Sequence, residues 1–310
     1  MASTQELTRR IKSVKSTRKV TRAMQMVSAS KMRKSQNATL ASRTYSQLAL
    51  ELLNSLSLRG ERLSERRGNL DLGLVRYGIA SSQSLLAMTE GSLKATKTLV
   101  VVISSNRGQV GSFNANLFTK LRELENTVGV ANIDYAIMGR KAMDIATRLG
   151  RNILADFTKL DSLPTAGQII PLTEWAVKEF SQGKYRQVNI VYNHFVSTLS
   201  QQVRVTKILP LTENAKEPVG EQSKTEYTFE PSPLEVLEHV LPRIVESQMY
   251  QALLESDASE HSARMVMMKN ATDNAGDLIA DLTLTFNQLR QNKITTELSE
   301  ITAGKIALEK

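Results

Sequence analysis

The sequence predicts a mixed α+β and α/β chain: an antiparallel coiled coil of its N- and C-terminal helices, joined through a central α/β layer. Three observations predict it. The last third carries a heptad seam in which Met265, Met268, Thr272, Ala275, Ile279, Leu282, Phe286 and Leu289 follow at spacings of 3, 4, 3, 4, 3, 4 and 3. The first 58 residues contain neither Pro nor Gly. Between them the period changes, and strand-like β-branched runs alternate with helical ones.

Residues 232–310 read as one helix. The same phase runs back from Met265 through His261, Ala258, Leu254, Gln251, Ser247 and Ile244. Ser232-Pro233-Leu234-Glu235 forms a capping box, with Ser at the N-cap, Pro at the first helical position and Glu at the third. Only Pro242, Gly276 and Gly304 interrupt the run. At the rise of an α-helix it would be roughly 110 Å long. No domain of this size buries such a helix, so it must pair and then reach beyond its own body.

The N-terminal segment, 1–58, is helical from residue 4 behind a second capping pattern, Ser3-Thr4-Gln5-Glu6. Leu7, Ile11 and Val14 begin its seam, which continues weakly through Met24, Val27 and Met32. Small side chains between Ala23 and Ser30 allow a neighbouring helix close approach. Residues 59–95 are polar and rich in Gly, and read as an irregular connection with one short helix near Ser82–Met88.

Residues 96–210 form the α/β domain. Thr98 to Ile103 is a continuous run dominated by β-branched residues, the mark of a buried parallel strand. A helix follows over 111–126, with Phe113, Leu117, Leu121 and Leu124 on one face. Strands at 134–138, 153–157, 188–192 and 203–209 alternate with helices at 140–149 and 166–182, the latter holding the sole Trp, Trp175. Such alternation argues a Rossmann-like layer with right-handed crossovers. Residues 211–231 are a polar linker into the long helix.

The two terminal helices enter and leave one domain, which makes them antiparallel partners. Aligning their domain-side ends pairs positions that sum to about 290. Residue 4 then meets roughly residue 286, and the last helix continues alone. The heptad phase breaks near that point: after Leu289 the next apolar positions are Ile294, Leu298 and Ile301.

The chain has no Cys, which removes disulfides, thiolate catalysis and zinc ribbons. Its three His (His194, His239, His261) have no metal-ligand spacing, so no metal and no cofactor is expected. No apolar stretch reaches the ~18 residues of a membrane span. The N-terminus lacks the apolar core of a secretory signal. The net charge of +9 is concentrated: residues 1–43 hold eleven Lys or Arg against Glu6 alone. That segment calls for an acidic partner.

Asn106-Arg107-Gly108-Gln109-Val110-Gly111 stands between a strand and a helix, where phosphate loops sit, but matches no phosphate-binding fingerprint. It reads as a structural turn. The basic helix face (Arg9, Arg10, Lys12, Lys15, Arg18, Lys19, Arg22, Lys31, Arg33, Lys34) admits three readings: a solvated face, a dock for an acidic protein, or a nucleic-acid surface lacking interleaved aromatics. Met24, Met26, Met32, Met265, Met267 and Met268 fill core or line a surface that re-packs. Glu255, Asp257, Glu260, Asp273, Asp277 and Asp281 are spaced as exposed coiled-coil flanks. His261 reads as a seam residue and His194 as a satisfied structural one. No active site assembles. The functional lead is the tip, Gln291 to Lys310, whose Ile294, Leu298, Ile301 and Ile306 have no internal partner.

Three long motifs carry a resemblance. Thr21 to Met32 (TRAMQMVSASKM) resembles the N-terminal signature of the γ subunits of F-type ATP synthases. Ala263 to Ala275 (ARMVMMKNATDNA) and Arg290 to Ile301 (RQNKITTELSEI) resemble its two C-terminal signatures. The Ser105 to Asn116 loop resembles the family's D-R-G-L-x-G turn, departing at Asn106 and at Gln109-Val110. The similarity spans both ends and the centre.

The resemblance implies a rotary central stalk without a catalytic site of its own. The coiled coil would sit inside a hexamer of α and β subunits, with the α/β foot on a membrane c ring beside subunit ε. Proton flow would turn the ring and this chain, driving ATP synthesis on β. Association with the cytoplasmic face of a bacterial plasma membrane, or an equivalent energy-coupling membrane, would be peripheral and through the complex. Met24 and Arg264 match the coupling zone, and the pairing sum of about 290 sets them opposite each other; Arg290, Gln291, Thr295 and Glu297 match β-loop contacts. The basic face (Arg9, Arg10, Lys12, Lys15, Arg18, Lys19, Arg22) would meet an acidic lever loop of β. Phe229 and Glu230 match positions near the c ring, and Ile294, Leu298 and Ile301 would form the bearing tip. Lys305 departs from the family, which follows its near-terminal Gly with small apolar residues. A basic coiled-coil nucleic-acid binder and a nucleotide-binding α/β enzyme are the alternatives; both leave the terminal motifs unexplained.

Overall fold

The structure, a computed structural model, describes residues 4–65, 95–211 and 233–308. The helix expected at Ser82–Met88, the cap residues Ser3 and Ser232, nearly all of the polar linker, and Phe229 with Glu230 lie outside the described residues.

Helix α1 spans Thr4–Glu65 and therefore runs through Gly60. The expected break at residue 58 is corrected by seven residues. A helical Gly costs about 1 kcal/mol relative to Ala and is tolerated where strong formers such as Glu61, Arg62, Leu63 and Glu65 follow it. Strand β1 (Lys97–Ile103) leads to α2 (Phe113–Val128), β2 (Ile133–Met138), α3 (Arg140–Arg148), β3 (Ile153–Phe157), α4 (Ala166–Ser181), β4 (Tyr185–Phe195) and β5 (Gln201–Leu209). Helix α5 covers Pro233–Leu308 without interruption. Pro242 sits within it, and the helix continues.

The chain divides into two compact units, Ser30–Ala263 and Met1–Ala29 with Arg264–Lys310. In the larger unit the sheet order is β3-β2-β1-β4-β5. β1, β2, β3 and β4 are parallel, as βαβ alternation demands. β5 is antiparallel to β4, because the short connection around Ser197–Ser200 permits only a hairpin, whereas a parallel pair needs a crossover.

β1 is buried on both faces, which explains its unbroken apolar run. Leu99, Val101 and Ile103 face one core with Ile169, Leu172 and Phe180 of α4 and Ile244, Val245, Met249 and Leu253 of α5. Val100 and Val102 face the other, with Leu117 and Leu121 of α2 and Ala142 of α3. The first core is the larger, and it anchors the start of α5 to the sheet.

The smaller unit is a pair of antiparallel helical segments. On α5, Met268, Thr272 and Ala275 are buried and Ile279, Leu282, Phe286 and Leu289 half-buried, while the positions between them are open to solvent apart from the half-buried Ala271 and Gly276. On α1 the heptad count from Leu7 and Ile11 passes through Val14, Arg18, Thr21, Gln25 and Ser28. Ser28 is buried, and Val27, expected in the seam, is 56% exposed. The seam in this zone is made of short hydroxyl side chains, invisible to a search for apolar residues. Thr21 and Thr272 hydrogen-bond across it at 2.8 Å.

Candidate functional site

The Thr21–Thr272 bond fixes the register of the pair: positions facing one another sum to about 293. Met24 is therefore level with Lys269, and Arg264 lies roughly 7 Å further along the axis. The expectation that Met24 faces Arg264 is corrected accordingly, since alignment by the domain-side ends locates a register only to within a turn. Both residues are half-buried.

All seven basic residues of the first turns (Arg9, Arg10, Lys12, Lys15, Arg18, Lys19, Arg22) are exposed. The Arg18 guanidinium lies over Gly276, whose missing side chain makes the room. Val20 and Met26 are exposed on the same helix, as are Met267, Leu278 and Leu284 on its partner. The outer surface of the pair is thus apolar and cationic together, the composition of an interface rather than of a solvated rod.

Where α1 begins, Thr4, Gln5 and Thr8 enclose a shallow hollow of about 310 Å³ with Phe286, Arg290, Lys293, Ile294 and Glu297. Arg290 and Glu297 are brought together here. Thr295 stands apart, its hydroxyl donating to the Gln291 carbonyl at 2.9 Å. From Gln291 to Lys305 every residue is exposed. Ile294, Leu298 and Ile301 are 48, 60 and 70% exposed. Burying three such side chains in a partner would contribute a few kcal/mol.

The larger unit holds a polar belt that the sequence did not announce. Glu255, Asp257 and Glu260 are buried, not exposed flanks; Asp273, Asp277 and Asp281 are exposed as expected. The physical reason is enclosure. From Ala252 to Ser262 every residue of α5 is buried, because the carboxyl edge of the sheet covers the sides that α1 leaves open. Asp257 accepts a hydrogen bond from Ser35 of α1 at 2.6 Å. Lys159, in the loop after β3, reaches Glu260 at 2.6 Å and donates to the Ser104 carbonyl at the end of β1. His194 of β4 pairs with Glu255, and His261 lies 3.6 Å from Asp257. Ser259 donates to the Asn193 carbonyl at 3.0 Å and Ser262 to that of Thr198 at 2.6 Å. Burial beside Glu255 pushes the Tyr192 phenol up to about 12.

Lys159, Ser35, Asn193, Ser259 and Ser262 were missed. Their one signal is the run of small polar residues on α5 at 256, 259 and 262, too generic to point anywhere alone.

The loop after β1 is committed to structure. Asn106 donates to the Lys159 carbonyl and to Asp161, and Arg107 pairs with Asp161 at 2.8 Å. The Asn106 hydrogen bond, with Arg107 and Lys31 nearby, holds the Asp161 carboxyl below its usual range. An open α/β sheet takes ligands at the carboxyl ends of its strands where the strand order reverses, here between β1 and β4. That crevice is filled by α5. Among the described residues no cluster could hold a metal ion, and no helix is long and apolar enough to cross a membrane.

The comparisons bear on the whole chain. The ATP synthase family model matches residues 3–308. The ATP synthase gamma chain of Roseiflexus sp. (strain RS-1) is 39% identical over 311 residues, covering 99% of each chain. That of Chloroflexus aurantiacus (strain J-10-fl) is 40% identical over 310 residues, again 99% of each. That of Pelotomaculum thermopropionicum is 40% identical over 309 residues and covers both chains fully. The fold is shared with a chain of the Tetrahymena thermophila mitochondrial ATP synthase central stalk and c ring, at TM-score 0.53 and 22% identity over 81% of this chain and 99% of that one. It is shared equally with a chain of the Euglena gracilis mitochondrial enzyme, at TM-score 0.53 and 20% identity over 90% and 95%. With kinship of this depth running from end to end, the chain belongs to the ATP synthase gamma chain family.

Proposed function

We propose that this chain is the rotating central stalk of an F-type ATP synthase, coupling proton flow through a membrane c ring to ATP synthesis on the β subunits. It acts mechanically and has no catalytic site of its own. The observation that carries the reading is the tip: fifteen consecutive exposed helical residues, 291–305, whose aliphatic stripe continues past the hollow where α1 begins. Such a helix needs a sleeve, which a hexamer of α and β subunits supplies. Arg290, Gln291, Thr295 and Glu297 meet the β loops, and Met24 and Arg264 lie in the coupling zone. The cationic face of α1 meets an acidic lever loop of β. The α/β foot rests on the c ring beside ε, with Phe229 and Glu230 near the ring. Membrane association is peripheral, through the complex, on the cytoplasmic face of a bacterial plasma membrane or its equivalent.

Co-expression with α and β subunits of a Chloroflexus relative tests this. The expected product is a stable assembly holding one copy of this chain and hydrolysing ATP. A chain that purifies separately from the hexamer, at low ionic strength as well as high, would refute the reading.

A further inference from the structure

We infer that Lys159 is a positioning residue: it locks the rotational register of α5 where the helix leaves the foot, and twist passes between foot and shaft through that lock. The inference rests on the rotary reading above.

From Glu255 to Ser262 the side chains of α5 are Glu, Ser, Asp, Ala, Ser, Glu, His and Ser. None is a large apolar knob. Packing alone sets the rotation of such a smooth surface poorly, since register in helical packing comes from knobs seated in holes. Directional bonds replace them, and they come from every side. Ser35 and Arg43 of α1 reach Asp257 and Glu255. His194 and the Asn193 carbonyl at the end of β4 take Glu255 and Ser259. The β4–β5 hairpin takes Ser262.

Lys159 ties this collar to the sheet. Its side chain is 3% exposed, and the ammonium lies 2.6 Å from Glu260 and 4.0 Å from Asp257, two carboxylates one turn apart on α5. The same ammonium donates to the Ser104 carbonyl at 3.3 Å. One cation thus joins two turns of the shaft helix to the end of the central strand. Buried ion pairs contribute little net stability, and their best-attested role is fixing one register against others. The apolar core from Leu241 to Leu253 already holds the helix on the foot, which leaves the angular lock as the part the collar adds.

The test uses the assembled membrane complex carrying Lys159→Met, with amide exchange read along α5 and proton pumping read against ATP hydrolysis. Removing one partner of a buried pair strands its carboxylates, so exchange at 255–262 should rise about a hundredfold while 244–253 stays protected. Hydrolysis should persist, and protons pumped per ATP should fall. Raised exchange with an unchanged pumping ratio would overturn the inference, leaving Lys159 a merely structural residue; so would unchanged exchange. If Lys159→Met fails to assemble, Glu260→Gln carries the same two readouts, because it keeps an acceptor for the ammonium and removes one charge. A wild-type chain that never joins the complex overturns the rotary reading and this inference with it.

Discussion

Three glycines separate backbone strain from steric clash in the foot, and the series tests how tightly the collar's anchor is built. Gly139, between β2 and α3, has φ +113°. A Cβ there would stand 2.5 Å from the Ser104 carbonyl oxygen and 2.7 Å from its hydroxyl. Strain at such a φ costs about 1–3 kcal/mol. The clash must also displace Ser104, which accepts from the Ala142 amide at 2.9 Å and from Lys159 at 3.3 Å. Losing these two bonds adds roughly 1 kcal/mol each. Gly139→Ala should therefore cost about 3–5 kcal/mol, a melting drop on the order of 10 °C. Gly150 has φ +63° and nothing near its Cβ, so Gly150→Ala should cost about 1 kcal/mol from strain alone. Gly108 has neither a positive φ nor a neighbour, and Gly108→Ala should fall within about 0.5 kcal/mol of wild type. Trp175, the sole Trp, packs on Phe157 at 6.0 Å and reports melting of this domain by fluorescence. Equal destabilisation by Gly139→Ala and Gly150→Ala would refute the reasoning, since it would mean that the close approach to Ser104 carries no energy.

Other expectations follow from the same geometry. Thr21→Val and Thr272→Val should each destabilise the helix pair by about 1 kcal/mol, and the double variant by less than their sum, because either substitution alone already removes the single bond between the two hydroxyls; additive values in a melting cycle would count against that bond. Ile294→Asp with Leu298→Asp should leave the melting of the isolated chain within about 0.5 kcal/mol and weaken its association with the hexamer; equal loss of both would show that the tip is packed internally. The Tyr192 phenol, raised by burial, should ionise near pH 12 in the folded chain, read by absorbance at alkaline pH. Its folded value lies above the unfolded value of about 10, so its contribution is full below pH 10 and is lost as pH rises from there towards 12.

The sequence made the apolar architecture readable and left the polar architecture dark. β1 could be placed because Leu99 to Ile103 must be buried on both faces, and only a parallel strand covered by helices does that. The seam from Met268 to Leu289 was legible because large side chains recur at heptad spacing. The antiparallel β5 was not, since hairpin and crossover share the same strand pattern and differ only in connection length. Ser28 was hidden because a hydroxyl carries no periodicity signal when buried. The burial of Glu255, Asp257 and Glu260 was hidden for a deeper reason. Their enclosure depends on Lys159 and His194, about 100 and 60 residues away in the chain, and no local pattern encodes which carboxylate will find such a partner.

One helix thus meets its surroundings by distinct chemistries, and their order along it is informative. Against the sheet, Leu241 to Leu253 packs as an apolar core. From Glu255 to Ser262 it is held by directional bonds, and in the pair it shares a narrow seam. At the tip, Thr295, Thr296, Ser299 and Thr302 each donate their hydroxyl hydrogen to the carbonyl four residues earlier, at 2.7–2.9 Å. Those hydroxyls are turned onto the helix's own backbone, and Ile294, Leu298 and Ile301 supply the outward stripe. A directional bond resists rotation about the axis because it weakens steeply with angle, whereas aliphatic contact depends only on area. On the rotary reading this is the required gradient. The end fixed to the foot must not slip, and the end inside a sleeve must turn. A helix built only for stability would have no reason to place its angular restraints at one end and withdraw them from the other.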